Sequence, residues 1–274
     1  MSKVIIFLDI DGTLIRPNQT VNDKRLPSLI NHLSKDGFLF GLNSNRSLED
    51  VSPIYKKFNL NGPIILENGV YFIFKRKKIF LLAKPKIITP RFIEGILVAF
   101  IKKENLNATI KIHDSVKALT SSITAATPLL FLVNKYRKFT GSIHILRYGK
   151  RDRILAQKLT EFIGKEFRQS KLDFTVTCPE TFGNVIFYPK KSSKRMALQK
   201  IKAYYPRYHF YMIGDEMNDF KAIHKIGTFL TTGNATPRVK TMAFYVAKNT
   251  YTKGLVEILN RLHPSKKPSA KVLL

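Results

Sequence analysis

The chain has one cysteine, no tryptophan, and only 19 acidic residues against 47 lysines and arginines. A lone Cys178 excludes an internal disulfide, and nothing around it marks a thiol catalyst, so a reducing compartment, the cytoplasm, is expected. Also absent is any apolar run near the roughly 20 residues that cross a bilayer. The longest candidate, around Phe92 to Ile101, is interrupted by Glu94 and Gly95, and no membrane partner is expected. The apolar N-terminal stretch runs straight into acids without a small-residue cleavage site, which is not the pattern of a secretion signal. Internal repeats are missing too. With 44% hydrophobic residues and a mean hydropathy of -0.11, the 274 residues suit a soluble globular protein, either one large domain or a core with an insert.

The shortage of acids leaves a formal charge of +28. Such an excess suggests a polyanionic partner, nucleic acid first. Its distribution argues otherwise. Residues 84–185 carry 18 bases and 8 acids, and the rest of the chain carries 29 and 11, which is nearly the same density. Most of the excess is lysine, a poorer bidentate ligand than arginine. The even spread favours a solvated lysine-rich surface over a dedicated nucleic-acid face.

Where acids do occur, they cluster behind apolar strands. Val4 to Leu8 runs directly into Asp9-Ile10-Asp11-Gly12-Thr13. This reads as a buried parallel strand that delivers two carboxylates to its carboxyl end, where open α/β sheets keep their chemistry. Two such charges repel unless a cation or phosphoryl group lies between them. A second cluster, Gly214-Asp215-Glu216-Met217-Asn218-Asp219, follows the apolar strand His209 to Ile213. Either cluster alone could be a turn or a helix cap. Together they bring Asp9, Asp11 and Asp215 to one sheet edge, an all-oxygen set that suits Mg²⁺. Ser44 and Asn45, in the polar segment after a second strand (Phe38 to Leu42), can offer a hydroxyl and neighbouring N–H groups to an oxyanion. Lys194, opening a helix from Ser193 to Tyr205, can set a point charge on a phosphoryl group.

The intervening pattern alternates strand and helix: a helix over Leu26 to Lys35, the strand to Leu42, a helix over Leu48 to Phe58, then the strand Ile64 to Leu66. That spacing predicts a doubly wound, mostly parallel α/β sheet of Rossmann-like type. Glu67-Asn68-Gly69 opens a hairpin, with Val70 to Phe74 paired to Ile79 to Leu82. From Lys84 to about Thr181 helices (Pro90 to Lys103, Asp152 to Phe167) mix with short strands (Thr109 to Ile112, Ser142 to Leu146, Phe174 to Thr177), as in an α+β insert. The parallel pattern is expected to resume at Val185 to Phe187. Residues 1–83 and 183–263 then form a discontinuous core, 84–182 an inserted cap, and 264–274 a basic, mobile tail.

In order, the chain presents Asp-Ile-Asp-Gly-Thr, a serine after the second strand, a lysine opening a helix, and Gly-Asp-Glu-Met-Asn-Asp. This series resembles the four-motif signature of the haloacid dehalogenase superfamily of phosphohydrolases. The insert between the second and third motifs is similar to a C2-type cap. Leu66-Glu67-Asn68-Gly69 and Gly233-Asn234-Ala235 resemble the Cof-type branch, whose members include sucrose-phosphate, mannosyl-phosphoglycerate and phosphoglycolate phosphatases. The likeness covers about residues 3–83 and 183–260. It implies a nucleophile at Asp9, a general acid and base at Asp11, and phosphate ligands at Ser44, Asn45 and Lys194. It also implies Mg²⁺ on Asp9, Asp215 and the Asp11 backbone carbonyl, with Thr13, Asn218 and Asp219 supporting them. Two positions depart from the pattern: Arg195 stands where glycine is frequent, and Glu216, where a small residue is usual, adds negative charge beside the metal.

The resulting expectation is a Mg²⁺-dependent phosphomonoesterase for a small phosphorylated metabolite, a sugar phosphate or phosphorylated acid. A phosphatase of nucleotides or nucleic-acid ends is the alternative raised by the charge. A basic scaffold on a ribonucleoprotein is the non-enzymatic one, disfavoured by the intact acids. Nothing in the sequence signals an oligomeric state.

Overall fold

A strand whose side chains are apolar without alternation must be covered on both faces, and Val4 to Leu8 are buried without exception. They lie in the computed structural model, which describes residues 3–18, 20–75, 77–81, 86–113, 126–178 and 184–263. The elements up to the hairpin are β1 (Lys3–Leu8), α1 (Leu26–Lys35), β2 (Leu39–Asn43), α2 (Leu48–Lys57), β3 (Ile64–Leu66), β4 (Tyr71–Phe74) and β5 (Lys77–Phe80). Next come α3 (Pro90–Lys103), β6 (Thr109–His113), β7 (Leu129–Asn134), β8 (Gly141–Arg147), β9 (Lys150–Arg151), α4 (Arg153–Gln169), β10 (Phe174–Thr177) and β11 (Asn184–Pro189). The remainder is α5 (Lys194–Tyr204), β12 (Tyr208–Gly214), α6 (Met217–Ile223), β13 (Thr228–Thr231), α7 (Pro237–Lys240), β14 (Tyr245–Val246) and α8 (Tyr251–Leu262).

Two compact units result. One takes the described residues of 1–44, 52–79 and 193–274, the other those of 45–51 and 80–192. The first unit is built on a sheet of order β14-β13-β12-β1-β2-β3-β4-β5. Its pairs from β14 to β3 are parallel, and β4 returns antiparallel on β3. The chain leaves β1 towards β2 and β3, and later comes back to β1's other edge as β12. The strand order therefore reverses between β1 and β12, which is where a doubly wound sheet opens a crevice at its carboxyl edge. Helix α1 packs on α8, and α5 on α6. The doubly wound α/β fold is as expected.

The second unit holds a sheet of order β10-β11-β8-β7-β6, with β9 paired to β8. Only β6 and β7 run parallel; the other neighbours are antiparallel. Helices α3 and α4 lie on one sheet face, where Leu97, Phe100, Leu159 and Ile163 meet Phe131, Val133, Ile143, Ile145 and Phe187.

This sheet corrects one expectation. The strand read at Val185 to Phe187 as the return of the parallel sheet is β11, a central strand of the second unit, paired antiparallel with β8 and β10. A strand covered on both faces reads the same in either sheet, so hydrophobicity alone cannot assign it. For the same reason β7, buried at all six positions, carries no alternation to reveal it. The first unit resumes at Ser193. The boundaries expected at 83/84 and 182/183, and the tail 264–274, lie outside the described residues.

Helix α8 is fastened to the loop before it by one carboxylate. Glu257 accepts hydrogen bonds from the Tyr245 hydroxyl (2.7 Å), the backbone N–H groups of Lys248 (3.0 Å) and Asn249 (3.1 Å), and the Asn249 amide (2.8 Å). Burial pushes this carboxyl up, but the donors outweigh it and hold the pKa at about 2, against an ordinary 4.5. A depressed carboxylate stabilises the fold above its unfolded pKa and loses that contribution as pH falls towards the folded value. Glu257→Gln should therefore cost roughly 1–2 kcal/mol at pH 7, after allowance for solvent screening. In urea unfolding the deficit should shrink by more than half between pH 6 and pH 3; a constant deficit would contradict this account.

Candidate active site

The crevice at the strand-order reversal is lined from adjacent strands. Leu8 is level with Ile213 in the parallel register, and the Asp9 N–H donates to the Ile213 carbonyl (2.9 Å). The next residues on the two chains are thus Asp9 and, one further, Asp215. After Asp9 the backbone turns tightly, with Gly12 N–H on the Ile15 carbonyl (3.0 Å) and Leu14 N–H on the Ile10 carbonyl (3.1 Å). Gly12 has φ +90°, and a Cβ there would lie 2.3 Å from Asp215 Oδ2. Only a residue without a side chain lets the two acidic loops interlock.

Asp215 is held by both its oxygens. The Thr13 hydroxyl donates to Oδ1 (3.0 Å), and the Asn234 amide donates to Oδ2 (3.3 Å) and to the Gly12 carbonyl (2.8 Å). Asn234 is itself fixed through Oδ1, which accepts from the Thr232 hydroxyl (2.9 Å) and the Tyr251 N–H (2.8 Å).

Lys194 enters as the first residue of α5, behind the N-cap Ser193, whose hydroxyl accepts from the Met196 N–H (3.1 Å). Its ammonium donates to Asp9 Oδ1 (3.3 Å) and Asp219 Oδ1 (3.0 Å). All three groups are buried: Lys194 is 6% exposed, Asp9 7% and Asp219 1%. Asp219 in turn caps α6, its Oδ2 accepting from the Glu216 N–H (3.4 Å) in a reciprocal capping box. The Asn43 amide reaches Asp219 Oδ1 at 3.5 Å.

Oxygens of Asp9, Asp215 and Asp219 all lie within 4.8 Å of one another. Burial, then the charge of Asp219, raises the Asp9 carboxyl well above its usual range. The same two causes lift Asp215 to about 8 and Glu216 to about 7. Asp219 and Asp9 more than offset the burial of Lys194 and hold it firmly protonated. One fixed ammonium thus faces several carboxylates that crowd each other towards neutrality. A donor set of oxygens only, in excess of its cation, fits a hard divalent metal.

Of the expected site residues, Asp9, Lys194, Asp215 and Asp219 are brought together, with Thr13 and Glu216 against them. Asp11 is half-buried in the turn beside them, joined to Ile15 by a β-bridge. Ser44 is buried just past β2, its N–H on the Ile65 carbonyl (3.0 Å). Asn45 belongs to the second unit, where its Oδ1 is buried without a hydrogen-bond partner. Asn218 is exposed on α6, outside the buried cluster.

A model of the haloacid dehalogenase-like hydrolase family matches residues 6–259. The chain belongs to that family. The four-motif assignment to the superfamily's Cof-type phosphohydrolases therefore stands. Among curated relatives, "Putative phosphatase YkrA" of Bacillus subtilis (strain 168) is 23% identical over 96% of this chain and 98% of its own length. A haloacid dehalogenase-like hydrolase from Bacteroides thetaiotaomicron shares the fold at TM-score 0.67 and 18% identity, over 95% of this hydrolase and 100% of that chain. The sucrose-phosphatase of Synechocystis sp. PCC6803, solved with sucrose and phosphate, does so at TM-score 0.56 and 14% identity, over 95% and 98%.

Three contributions to the hydrolase's site escaped the sequence reading. Asn234 stands in a motif quoted only for its resemblance, yet it links both acidic loops. Arg195, a departure from the family pattern, donates to the carbonyls of Lys221 (3.2 Å) and His224 (2.7 Å) and so ties α5 to the end of α6. Gly69 ends the turn Glu67-Asn68-Gly69, in which all three residues have positive φ. A Cβ on Gly69 would lie 2.2 Å from the Ser193 carbonyl oxygen, so this turn seats the helix end that carries Lys194.

Gly69→Ala should displace that helix end. It is expected to cost about 2–3 kcal/mol in chemical denaturation and to lower kcat on p-nitrophenyl phosphate by at least about tenfold. Gly37→Ala is the control, since Gly37 has φ +89° but a Cβ there would meet nothing within 4 Å. It should cost about 1 kcal/mol and leave kcat unchanged. Equal effects of the two on kcat would refute the seating role.

Proposed function

We propose that this hydrolase is a Mg²⁺-dependent phosphomonoesterase that works through an aspartyl-phosphate on Asp9, with a small phosphorylated metabolite as substrate. The observation that carries the reading is the buried bridge from Lys194 to Asp9 and Asp219 beside Asp215. It supplies a nucleophile, a fixed cation for the transferring oxygens and a set of metal ligands in one place.

In this reading an Asp9 carboxylate oxygen forms a bond to phosphorus as the bond to the substrate oxygen breaks. Asp11, less buried than Asp9, gives its proton to the departing alkoxide. It then takes a proton from the water that attacks phosphorus, which frees inorganic phosphate and restores the Asp9 carboxylate. Lys194 and the Ser44 hydroxyl hold the non-bridging oxygens as charge builds on them. Thr13 and Asn234 keep Asp215 aimed, and Asp219 keeps Lys194 aimed. Asp9, Asp215 and the Asp11 carbonyl would hold the metal; when bound, it neutralises the carboxylates and draws negative charge from the phosphoryl oxygens.

The second unit, residues 80–192 with 45–51, is proposed as a cap that chooses the leaving group. A sugar phosphate is the first substrate class to test, supported by the likeness to the Synechocystis sucrose-phosphatase. A lone cysteine and no membrane-crossing helix among the described residues agree with work in the cytoplasm.

The test is phosphate release from phosphorylated sugars, short acids, nucleotides and 5′- or 3′-phosphorylated oligonucleotides, with Mg²⁺ or EDTA. Metal-dependent release on a small metabolite, cut by at least about 10³-fold in Asp9→Asn, is expected. Preference for oligonucleotides would move the reading to nucleic-acid ends. No turnover by folded, Mg²⁺-loaded protein would leave the basic scaffold.

A further inference from the structure

A second cluster of ligating groups lies in the first unit, on helices that the catalytic reading does not use. His32 and Asp36 are four residues apart at the end of α1, and His263 caps the end of α8. The Nε2 atoms of His32 and His263 lie 4.0 Å and 3.6 Å from the same Asp36 Oδ2. One donor atom from each of the three falls within 4.8 Å of the others. The two imidazole rings are parallel, 5.0 Å between centroids.

The choice of residues is informative. Asp36 sits at a helix C-terminus, where a carboxylate is opposed by the helix dipole and a cation is favoured. A chain with 47 lysines and arginines but 6 histidines turns two of those histidines to this one carboxylate. A shared divalent ion would take an Nε2 lone pair from each ring and an oxygen from the carboxylate. The donor set is borderline rather than hard, two nitrogens and one oxygen, unlike the all-oxygen set around Asp9.

The geometry points to a binding site for a borderline transition-metal ion, Zn²⁺ or its neighbours, formed by His32, Asp36 and His263 and pinning the end of α8 to α1. Three protein ligands leave room for water. The site is independent of the catalytic reading, and its ion is structural.

The experiment titrates untagged, EDTA-stripped full-length protein with ZnCl2 in saturating Mg²⁺, by calorimetry and by thermal unfolding. Co²⁺ absorption reports the ligand field. Wild type and Asp215→Asn are expected to bind one equivalent of Zn²⁺ that raises Tm, with intense Co²⁺ d–d bands of a four- or five-coordinate ion. His32→Ala and His263→Ala should each weaken that binding at least tenfold, and Asp36→Asn should weaken it as well. Binding that survives both histidine variants, or that disappears only in Asp215→Asn, would overturn the site. So would no Zn²⁺ binding by wild type, which would leave a histidine–carboxylate ion-pair cluster.

Discussion

The interaction on which the rest depends is the ammonium of Lys194 held between Asp9 and Asp219. Five of the chain's 19 acids, Asp9, Asp11, Asp215, Glu216 and Asp219, converge on one sheet edge. Among the described residues Lys194 is the buried lysine, at 6% exposed. Removing one partner from a buried ion pair commonly costs about 3–5 kcal/mol, so the three groups are expected to stand or fall together. The cluster is costly as a stability device. Its excess of carboxylates over one ammonium fits a divalent metal ion.

Much of the first unit serves to hold that bridge. The parallel register of β1 and β12 fixes how far Asp9 and Asp215 project. Gly12 lets their loops interlock, and Asn234 ties both to the start of α8 through the Tyr251 N–H. From the other side, Gly69 seats α5, Arg195 docks α5 on α6, and Asp219 caps α6 while aiming Lys194. Secondary structure and chemistry are therefore coupled: the residue that caps a helix also orients the cation.

The acidic motifs were legible because each follows an apolar strand, and strand ends in a parallel sheet converge by topology. Helices α1 and α3 were legible to the residue, marked by Pro near their starts and by basic last turns. What hid was information that local pattern does not carry. Strand β11 reads like a core strand because burial on both faces looks alike in any sheet. Asn234 and Gly69 act across long sequence separations, through an amide and through a missing side chain. Arg195 looked like an exception until its acceptors, the final carbonyls of α6, were in view.

The central claim is that Asp9 becomes covalently phosphorylated. Rapid acid quench during turnover of a good substrate, followed by borohydride reduction and peptide mass spectrometry, tests it directly. An acyl phosphate on Asp9 is reduced to homoserine, so homoserine at position 9, absent without substrate and in Lys194→Ala, is the predicted result. Full turnover with an unmodified Asp9 at every quench time, or with the modification at another acid, would contradict the account.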